Sequence, residues 1–321
     1  MNMHRIVALA VVALLTHGAA AQPWPSQPVR LVVPASPGSS LDVIARVLGE
    51  KLRPRWNQPV VIEDKAGAGG MLGMNAVARA AADGHTLGIG FNGPIAFAPH
   101  LYRHMSYDPA KDLLPIVLTT SQPNVLAVAA SHPAKDVAAF VAWAKQQEGK
   151  LLYASVGTGS SSHLTMELFK SVAGFAGTHV PYKGSPEAAM SVVTGETHAI
   201  FAVEPALLPF LQSGQLKLLA ATSRDRTANL PNLPTVAESG YPDVQSLAWN
   251  GLFAPGATPA AVVDKINSDV NAALADPGVR ELLLKQGLVP GGGTPTDFKT
   301  LVESESRKWG PLIAAKIKPI E

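Results

Sequence analysis

Glycine and hydroxyl residues fill one short loop in the middle of the chain, between a strand-like run at residues 151–156 and a helix-like segment at residues 163–172. Apolar residues repeat at helical spacing in that segment. Glycines let a ligand approach the backbone, and the first turn of a helix carries unpaired N–H groups and partial positive charge. Such a loop suits a carboxylate or a phosphate. Its candidate ligand contacts are Gly157, Thr158, Gly159, Ser160, Ser161 and His163.

The same order of strand, small-residue loop and helix occurs at two other places. One loop follows a predicted strand at residues 29–33 and leads into a predicted helix at residues 41–52, which Ser39 or Ser40 opens. Another follows a predicted strand at residues 178–182, where Ser185 is the expected N-cap and Pro186 the first helical residue. Three such loops predict a cleft for a small anion. They add the candidate contacts Pro37, Gly38, Ser39, Ser40, Asp42, Gly184 and Ser185.

Further candidates stand at the ends of predicted strands. Phe91 and Asn92 end the third strand, where the Asn92 amide could bind the distal end of a ligand or cap a turn. Tyr182 and Trp249 end strands that should face the cleft, although a place in the core is an equal alternative for Trp249. Asp42 either stabilises the dipole of its helix or organises the cleft loop. We expect carboxylate binding by the backbone N–H groups of Ser39, Ser40, Thr158, Gly159 and Ser160, assisted by the hydroxyl groups of Ser39, Ser160, Ser161 and Ser185.

Other kinds of site fit these residues less well. A dinucleotide-binding loop would have a third glycine where Ser162 stands, and an acidic ribose partner about twenty residues on. A tight turn with a purely structural role stays open. The enzymatic alternative is a secreted α/β hydrolase or transferase with a Ser/His pair, but the sequence has no G-x-S-x-G elbow, and His163 and Glu167 suit an ordinary side-chain pair. The histidines form no H-E-x-x-H pattern. We expect no enzyme activity, no metal and no cofactor.

Composition narrows the class of protein. The 321 residues are 47% hydrophobic and 16% charged, which is typical of a folded globular protein of up to two domains. The net charge is +2 and no run of Lys or Arg occurs, so a nucleic-acid partner is not expected. The absence of cysteine excludes disulfides, thiol catalysis and cysteine zinc sites.

The first 21 residues have the pattern of a secretory signal peptide. Arg5 supplies a basic region, residues 6–15 are apolar, and three alanines at residues 19–21 form a cleavage site before Gln22. The apolar run is well short of the roughly 20 residues that cross a bilayer. We therefore expect export and a periplasmic mature protein.

Strands and helices alternate along the rest of the chain, which predicts α/β lobes with largely parallel sheets. Strands are predicted at residues 60–63, 86–91, 116–120, 125–130, 197–203 and 216–221, and helices at residues 71–82, 137–147, 260–275, 277–286 and 296–316. A hinge is predicted at residues 121–123. Residues 22–122 with 247–321 form the predicted lobe 1, and residues 123–246 form an inserted lobe 2. Ligands of such sheets bind beyond the carboxyl ends of the strands, where the three loops should lie.

Short motifs along the whole mature chain carry a family resemblance. The chain resembles the periplasmic substrate-binding receptors of tripartite tricarboxylate transporters, the Bug family. The motifs are Pro37-Gly38 with residues 42–46, residues 61–70 with Gly73, residues 82–87, Leu101-Tyr102, Tyr107-Asp108-Pro109 with Asp112, Gly157 with Ser160 and His163, residues 179–184, residues 233–240, and residues 249–252 with Ala254-Pro255.

The resemblance implies a two-lobe periplasmic-binding-protein fold of type II (a "Venus flytrap") with a ligand cleft between the lobes. It further implies a monomer that captures a small organic carboxylate and delivers it to integral-membrane transporter subunits. In relatives the carboxylate is held by backbone amides and bridging waters, which by motif correspond here to residues 37–42 and 157–161. Water-bridged contacts are nearly as favourable as direct ones. A sensory protein that presents its ligand to a histidine kinase stays an alternative.

Two departures from the family pattern bear on the ligand. Ser39, Ser40 and Leu41 replace part of a loop that is usually richer in glycine. His198 stands at about the position where amino-acid-binding members carry an acidic residue that can meet an amino group. This second difference favours plain or aromatic carboxylates over amino acids.

Overall fold

The computed structural model describes residues 24–182, 184–227 and 229–317, so the predicted signal peptide at residues 1–21 lies outside the described residues. The strands are β1 (Val29–Val33), β2 (Val60–Asp64), β3 (Thr86–Phe91), β4 (Leu113–Ala129), β5 (Leu152–Ser155), β6 (Thr178–Pro181), β7 (Ala199–Val203), β8 (Leu216–Ala221), β9 (Leu247–Pro255) and β10 (Val289–Gly292). The α-helices are α1 (Ser40–Trp56), α2 (Met71–Ala78), α3 (Ala98–Leu101), α4 (Pro109–Asp112), α5 (Val137–Gln146), α6 (Ser161–Ala173), α7 (Ser185–Val193), α8 (Glu204–Gln212), α9 (Ala260–Ala275), α10 (Pro277–Lys285) and α11 (Pro295–Lys316).

The first lobe is a sheet with helices on both faces. Its strands lie in the order β2-β1-β3-β9-β4, with β1 parallel to β2 and β3, and β9 antiparallel to β3 and β4. Leu31 and Val33 point into a core formed with α1, α9 and α10, whereas Val32 points into a second core formed with α2 and α11. Because both faces are covered, β1 is apolar along most of its length.

The second lobe repeats this layered arrangement around the other half of β4. Strands β7 and β8 run antiparallel to β4, and β5 lies parallel to β7 and β6. Phe140 and Phe169 of helices α5 and α6 pack in the core on one face, and Ala189 and Leu207 of α7 and α8 pack on the other. The molecule therefore consists of two α/β lobes that share one strand.

Strand β4 passes through both lobes without interruption. It pairs with β9 from Leu113 to Pro123, and from Asn124 onward it pairs with β7 and β8. The predicted gap between two strands at residues 121–123 is therefore wrong, since those residues are part of one strand, whereas the hinge predicted there stays a prediction. Pro123 stands where β4 changes its partner strands, a position at which the missing N–H is tolerated. The division into lobes at residues 122/123 and 246/247 stays a prediction, and this change of partners lies beside it.

The segment of β4 at residues 120–124, where the strand changes its partner strands, is called the crossover below. The carboxyl ends of the parallel strands point toward it from opposite sides. Phe91, the last residue of β3, pairs with Asn250, which in turn pairs with Thr120 of β4. Val203, the last residue of β7, pairs with Asn124 only four positions further along β4. Because β1 is parallel to β3 and β5 is parallel to β7, the loops that follow these strands lie on the two sides of the crossover.

Several element boundaries are as the sequence predicts, and others differ for local reasons. Strands β3 and β8 and helix α9 have the predicted bounds. The residues after Phe91 form a π-helical turn, Gly93–Phe97, continued by α3, and Asn92 precedes it without capping it through its side chain. Helix α8 and strand β10 were not predicted, because two prolines in α8 and a proline with two glycines in β10 obscure their patterns. Helix α1 continues through Pro54 to Trp56 and ends at Asn57 in the left-handed conformation, beyond the predicted stop.

Candidate functional site

The loop after β1 is held by its own helix. Ser39 is the N-cap of α1, and its Oγ accepts a hydrogen bond from the N–H of Asp42 at 3.2 Å. The buried carboxylate of Asp42 reaches back, so that its Oδ2 accepts from the N–H of Gly38 at 2.8 Å. Arg46 pairs with the other oxygen, with 2.8 Å between Nε and Oδ1. Asp42 therefore organises the loop, which is one of the two roles that the sequence left open.

The loop after β5 has the same construction in the other lobe. Ser160 is the N-cap of α6, and its Oγ accepts from the N–H of His163 at 3.3 Å. The side chain of His163 reaches back as Asp42 does, and its Nδ1 accepts from the N–H of Gly159 at 3.2 Å. Both loops thus have a glycine with positive φ, a serine N-cap and a side chain at the third helical position that accepts from the glycine N–H. This is a variant of the capping box.

Glycine is required at Gly159 by both its conformation and its neighbours. Its φ is +75°, and a Cβ placed there would lie 2.4 Å from Cδ1 of Leu101 in lobe 1. The loop after β5 therefore lies against the segment that follows β3. Ser160 also donates its hydroxyl proton to the carbonyl of Gly157 at 2.7 Å, which closes the loop on itself.

Three of the five N–H groups expected to bind the carboxylate are already engaged. Those of Ser39 and Ser160 donate to the carbonyl groups of Ser36 and Gly157, each at 3.2 Å, and that of Gly159 donates to His163. In the described part of the chain, the N–H groups of Ser40 and Thr158 have no protein acceptor, nor does that of Ser161. These are first-turn or loop groups of the kind that bind anions.

Backbone contacts hold the loop after β6, the third predicted loop, beside the loop after β5. The N–H of Tyr182 donates to the carbonyl of Ser155 at 2.9 Å, and the carbonyl of Tyr182 lies near Gly157. The N-cap of α7 is Gly184 in extended conformation, not Ser185 as predicted, because Ser185 already has helical geometry and Pro186 follows it. Ser185 lies in the first turn, half-buried.

Two aromatic candidates point away from the crossover. The ring of Tyr182 packs against the core beneath α7, and burial raises the pKa of its hydroxyl group. Trp249 is 1% exposed and packs edge-on against Phe298, with 5.5 Å between ring centroids. Of the two alternatives for Trp249, the structure has the core position, so we do not retain either side chain as a ligand contact.

Phe91 and Asn92 connect lobe 1 to the crossover. Nδ2 of Asn92 donates to the carbonyl of Leu247, the first residue of β9, at 3.1 Å. The ring of Phe91 lies against the backbone of Gly70 and Gly93, where added Cβ atoms would come within 2.8 Å of it. Pro37 and Gly38 are exposed at the tip of the first loop.

Polar side chains at the crossover were missed by the sequence analysis. Nδ2 of Asn250 donates to Oγ1 of Thr120 at 2.9 Å, and Thr165 donates to Ser246 at 2.7 Å. Gln122 is 3% exposed, and its Oε1 has no hydrogen-bond partner among the described residues. The available signal was the polar run at residues 119–124 within an otherwise apolar strand. These groups lie where the loops of both lobes converge.

His198 lies away from the proposed ligand site. It immediately precedes β7, at the amino end of the strand, and its Nδ1 accepts from the N–H of Leu152 at 2.9 Å. The carboxyl end of β7, not this end, points to the crossover. The inference from His198 against an amino-acid ligand is therefore withdrawn.

Metal-ligand clusters and membrane-spanning helices were sought among the residues that the structure describes. No cluster of three or more potential ligand side chains is arranged to hold a metal ion there. No described helix is long and apolar enough to cross a membrane.

Comparison with known proteins gives a consistent result. A family model described as tripartite tricarboxylate transporter family receptor matches residues 44–317. The protein BugT of Bordetella pertussis is 34% identical over 326 residues, which cover 99% of this chain and 100% of BugT.

Solved structures are similar over most of the chain. Rpa4515 of R. palustris, determined with adipate, is 36% identical with a TM-score of 0.86, and the match covers 92% of this chain and 100% of that one. MatC (Rpa3494) from Rhodopseudomonas palustris, with bound malate, is 32% identical with a TM-score of 0.82 over 90% of this chain and 100% of that one.

Proposed function

Since the chain belongs to the tripartite tricarboxylate transporter family of receptors, which includes the Bug proteins, we propose that its loops after β1 and β5 hold the ligand from opposite lobes. The family resemblance in the sequence and the two-lobe binding-protein fold are confirmed. The protein is a periplasmic solute-binding receptor for a small organic carboxylate, and the hydrolase alternative has no support.

The observation that carries the assignment of the site is the matched pair of loops. Each presents a helix N-terminus, and the N–H groups of Ser40 and Ser161 there have no acceptor within the described residues. A carboxylate is stabilised at such positions by hydrogen bonds and by the helix dipole. Arg46, beside the first loop, is engaged by Asp42 and Asp64, so backbone N–H groups are the available donors.

The ligand that we propose is a small aliphatic dicarboxylate. Two similar proteins were determined with adipate and with malate, which are dicarboxylates. Nδ2 of Asn250 at the crossover has a second hydrogen that can be donated to the second carboxylate, and Oε1 of Gln122 can accept from a hydroxyl group of the ligand. A site of this kind needs no metal or cofactor.

The family assignment supports a role in transport and an exported location. We propose that the receptor acts as an exported monomer after removal of residues 1–21 and hands its ligand to integral-membrane subunits. We also propose that it has no catalytic activity. In support, Ser160 donates to Gly157 and His163 accepts from Gly159, so the two side chains do not form a nucleophile–base pair.

A thermal-shift screen of residues 22–321 against adipate, malate, succinate, glutamate, nicotinate and benzoate tests this function. A ligand that binds only the folded state raises the melting temperature in a concentration-dependent manner. We expect the largest increase with a dicarboxylate. No increase with any acid for a folded sample would contradict the proposed function.

Proline substitutions at the first helical position test the site. Proline is well tolerated there and removes only the N–H group, and Ser39 and Ser160 have the extended conformation that precedes proline readily. We expect Ser40→Pro and Ser161→Pro to weaken binding about tenfold each, the value of one hydrogen bond to a charged group. Ser40→Ala and Ser161→Ala are the matched controls that retain the N–H. Equal affinities of the proline and alanine variants would contradict the site.

A further inference from the structure

Three rings of lobe 2 are stacked directly beneath the loop after β5. The rings of His163 and His179 are nearly parallel, with 3.7 Å between centroids and 11° between planes. The ring of Tyr153 lies 5.2 Å from that of His179 and 6.2 Å from that of His163. Tyr153 and His163 are buried, and His179 is partly buried. The rings come from β5, α6 and β6, so the stack joins all three elements next to the loop.

Both histidines are connected to the loop by hydrogen bonds. Nδ1 of His163 accepts from the N–H of Gly159, as described above. Nε2 of His179 lies 2.5 Å from Oγ of Ser155, and the same Oγ accepts from the N–H of Gly157 at 3.1 Å. The N–H groups of Gly157 and Gly159 therefore donate to side chains of lobe 2, namely Ser155 and His163, and not to a ligand.

Burial, with a contribution from a nearby lysine, keeps both histidines neutral. Burial is the main cause that lowers the pKa of His163 to about 4 and that of His179 to about 3, with Lys170 contributing in the same direction. Lys170 pairs with Glu167 at 2.6 Å, and Glu167 also accepts from the Tyr153 hydroxyl group. A neutral imidazole has one nitrogen without a proton, which is what accepting from Gly159 requires.

We propose that His163 is a positioning residue for the ligand, which fixes the loop at residues 157–160 by accepting from Gly159 while His179 holds its ring in place. This inference rests on the proposed function. With Gly159 N–H engaged, the N–H groups of Thr158 and Ser161 stay in one arrangement and remain open to an anion. In lobe 1 the carboxylate of Asp42 does the same for Gly38. His163 would then act on the ligand through the backbone, without touching it.

Without this acceptor the loop would lose its fixed geometry. A buried N–H without a partner is unfavourable, and Gly159, with its positive φ, has many alternative conformations. The loop would exchange among these, and only a fraction of the molecules would be ready to bind. The apparent affinity falls in proportion to that fraction.

The experiment measures adipate affinity by calorimetry at pH 7.5 for the wild type and two substitutions of His163. His163→Leu removes the acceptor. His163→Asn keeps one, because Oδ1 of asparagine and Nδ1 of histidine are both bonded to Cγ. His132 offers the control: its Nδ1 also accepts a backbone N–H, that of Ala134 at 3.1 Å, and burial lowers its pKa to about 4. It lies beyond the end of β4 that points away from the crossover, so His132→Leu should leave the affinity unchanged.

We expect His163→Leu to bind adipate about tenfold more weakly and His163→Asn to bind within about threefold of the wild type, the range expected for one hydrogen bond. Wild-type affinity in a folded His163→Leu, or equal weakness of the leucine and asparagine variants, would overturn the inference. Ser155→Ala is a second, independent variant, which removes the link from His179 to Gly157 and should also weaken binding. Unchanged affinity in Ser155→Ala would overturn the inference that side chains beneath the loop fix it through Gly157 as well as Gly159.

Amide hydrogen exchange of residues 156–164 without ligand separates this inference from the proposed function. Faster exchange in His163→Leu, with wild-type rates in His163→Asn and His132→Leu, would support the positioning role even if adipate did not bind the wild type. In that case the proposed dicarboxylate function alone would fail. Unchanged exchange in His163→Leu would overturn the positioning role.

Discussion

Gly159 shows how a single residue joins the two lobes at the site. Its N–H is bound by His163, its φ is positive, and the space a side chain would need is occupied by Leu101 of the other lobe. Two separate costs therefore fall on any substitution, one from the backbone conformation and one from the contact. The chain offers a position at which only the first cost applies, since Gly195 has a φ of +79° and nothing within 4 Å of its Cβ position.

We predict that Gly159→Ala lowers the free energy of unfolding more than Gly195→Ala does. The left-handed conformation costs an alanine about 1 kcal/mol at both positions, and overpacking against Leu101 adds about 1–3 kcal/mol at Gly159. Urea denaturation of the two variants measures the difference. Equal losses would mean that Leu101 moves away freely and that the contact between the lobes is weak.

The histidines predict a dependence of stability on pH. The folded-state pKa values of His163, His179 and His132 lie at about 4, 3 and 4, below the ordinary value of 6.5. The unfolded chain therefore binds more protons between these values, so stability is full above about pH 6.5 and falls as the pH decreases toward 4. At about 1.4 kcal/mol per pKa unit, His163 alone accounts for about 3 kcal/mol over that interval.

Denaturation curves at pH 7 and pH 5 measure this loss before most carboxylates titrate. We expect a decrease in the free energy of unfolding at pH 5, and a smaller decrease in His163→Asn, which lacks the titrating ring. An equal free energy of unfolding at the two pH values would contradict the burial of neutral histidines.

At the scale of elements, two helices begin with the same device. Ser39 and Ser160 cap α1 and α6, and the residues three positions later reach back to Gly38 and Gly159. Because the helices stand on different lobes, the device places a helix N-terminus on each side of the crossover.

We predict that Ser160→Ala and Thr294→Ala reduce stability similarly but that only the first affects the ligand. Thr294 caps α11, which is part of the scaffold. Loss of either N-cap costs about 1 kcal/mol, whereas Ser160 also donates to Gly157 and so holds the ligand loop. Melting temperatures and adipate titrations of both variants measure the two effects. A loss of affinity in Thr294→Ala equal to that in Ser160→Ala would show that the effect is merely one of stability.

Periodicity and cap residues were enough to predict most elements and the N-cap of α1 as Ser39 or Ser40, but not the cap role of Ser160 or the Gly184 cap of α7. Strand β3 and helix α9, for instance, have clear patterns of apolar residues and end at the predicted residues. The continuity of β4 could not be predicted, because a proline and polar residues in its middle have the local pattern of a hinge, whereas pairing with β9, β7 and β8 decides the outcome. The choice between core and cleft for Trp249 depends on tertiary packing that the spacing of residues in the sequence does not contain, whereas the contact of His163 with Gly159 is a local cap that the sequence analysis overlooked.

At the scale of the whole molecule, β4 is both the connection between the lobes and the base of the site. Thr120, on one side of the crossover, accepts a hydrogen bond from Asn250 of lobe 1. Asn124, on the other side, donates one to Thr165 of lobe 2. A ligand that binds the first loop and the second loop together must therefore draw the lobes around this strand. Such closure is a hinge motion of the kind known for two-lobe binding proteins.

Hydrogen exchange of residues 22–321 with and without a saturating dicarboxylate tests this account most directly, because it reports on both lobes at once. We predict that protection increases together at residues 36–42 of lobe 1 and at residues 156–163 of lobe 2, and that α9, which carries none of the proposed ligand contacts, is unchanged. Protection of only one of the two loops, or protection elsewhere while both stay unchanged, would contradict a ligand held between the lobes by two helix N-termini.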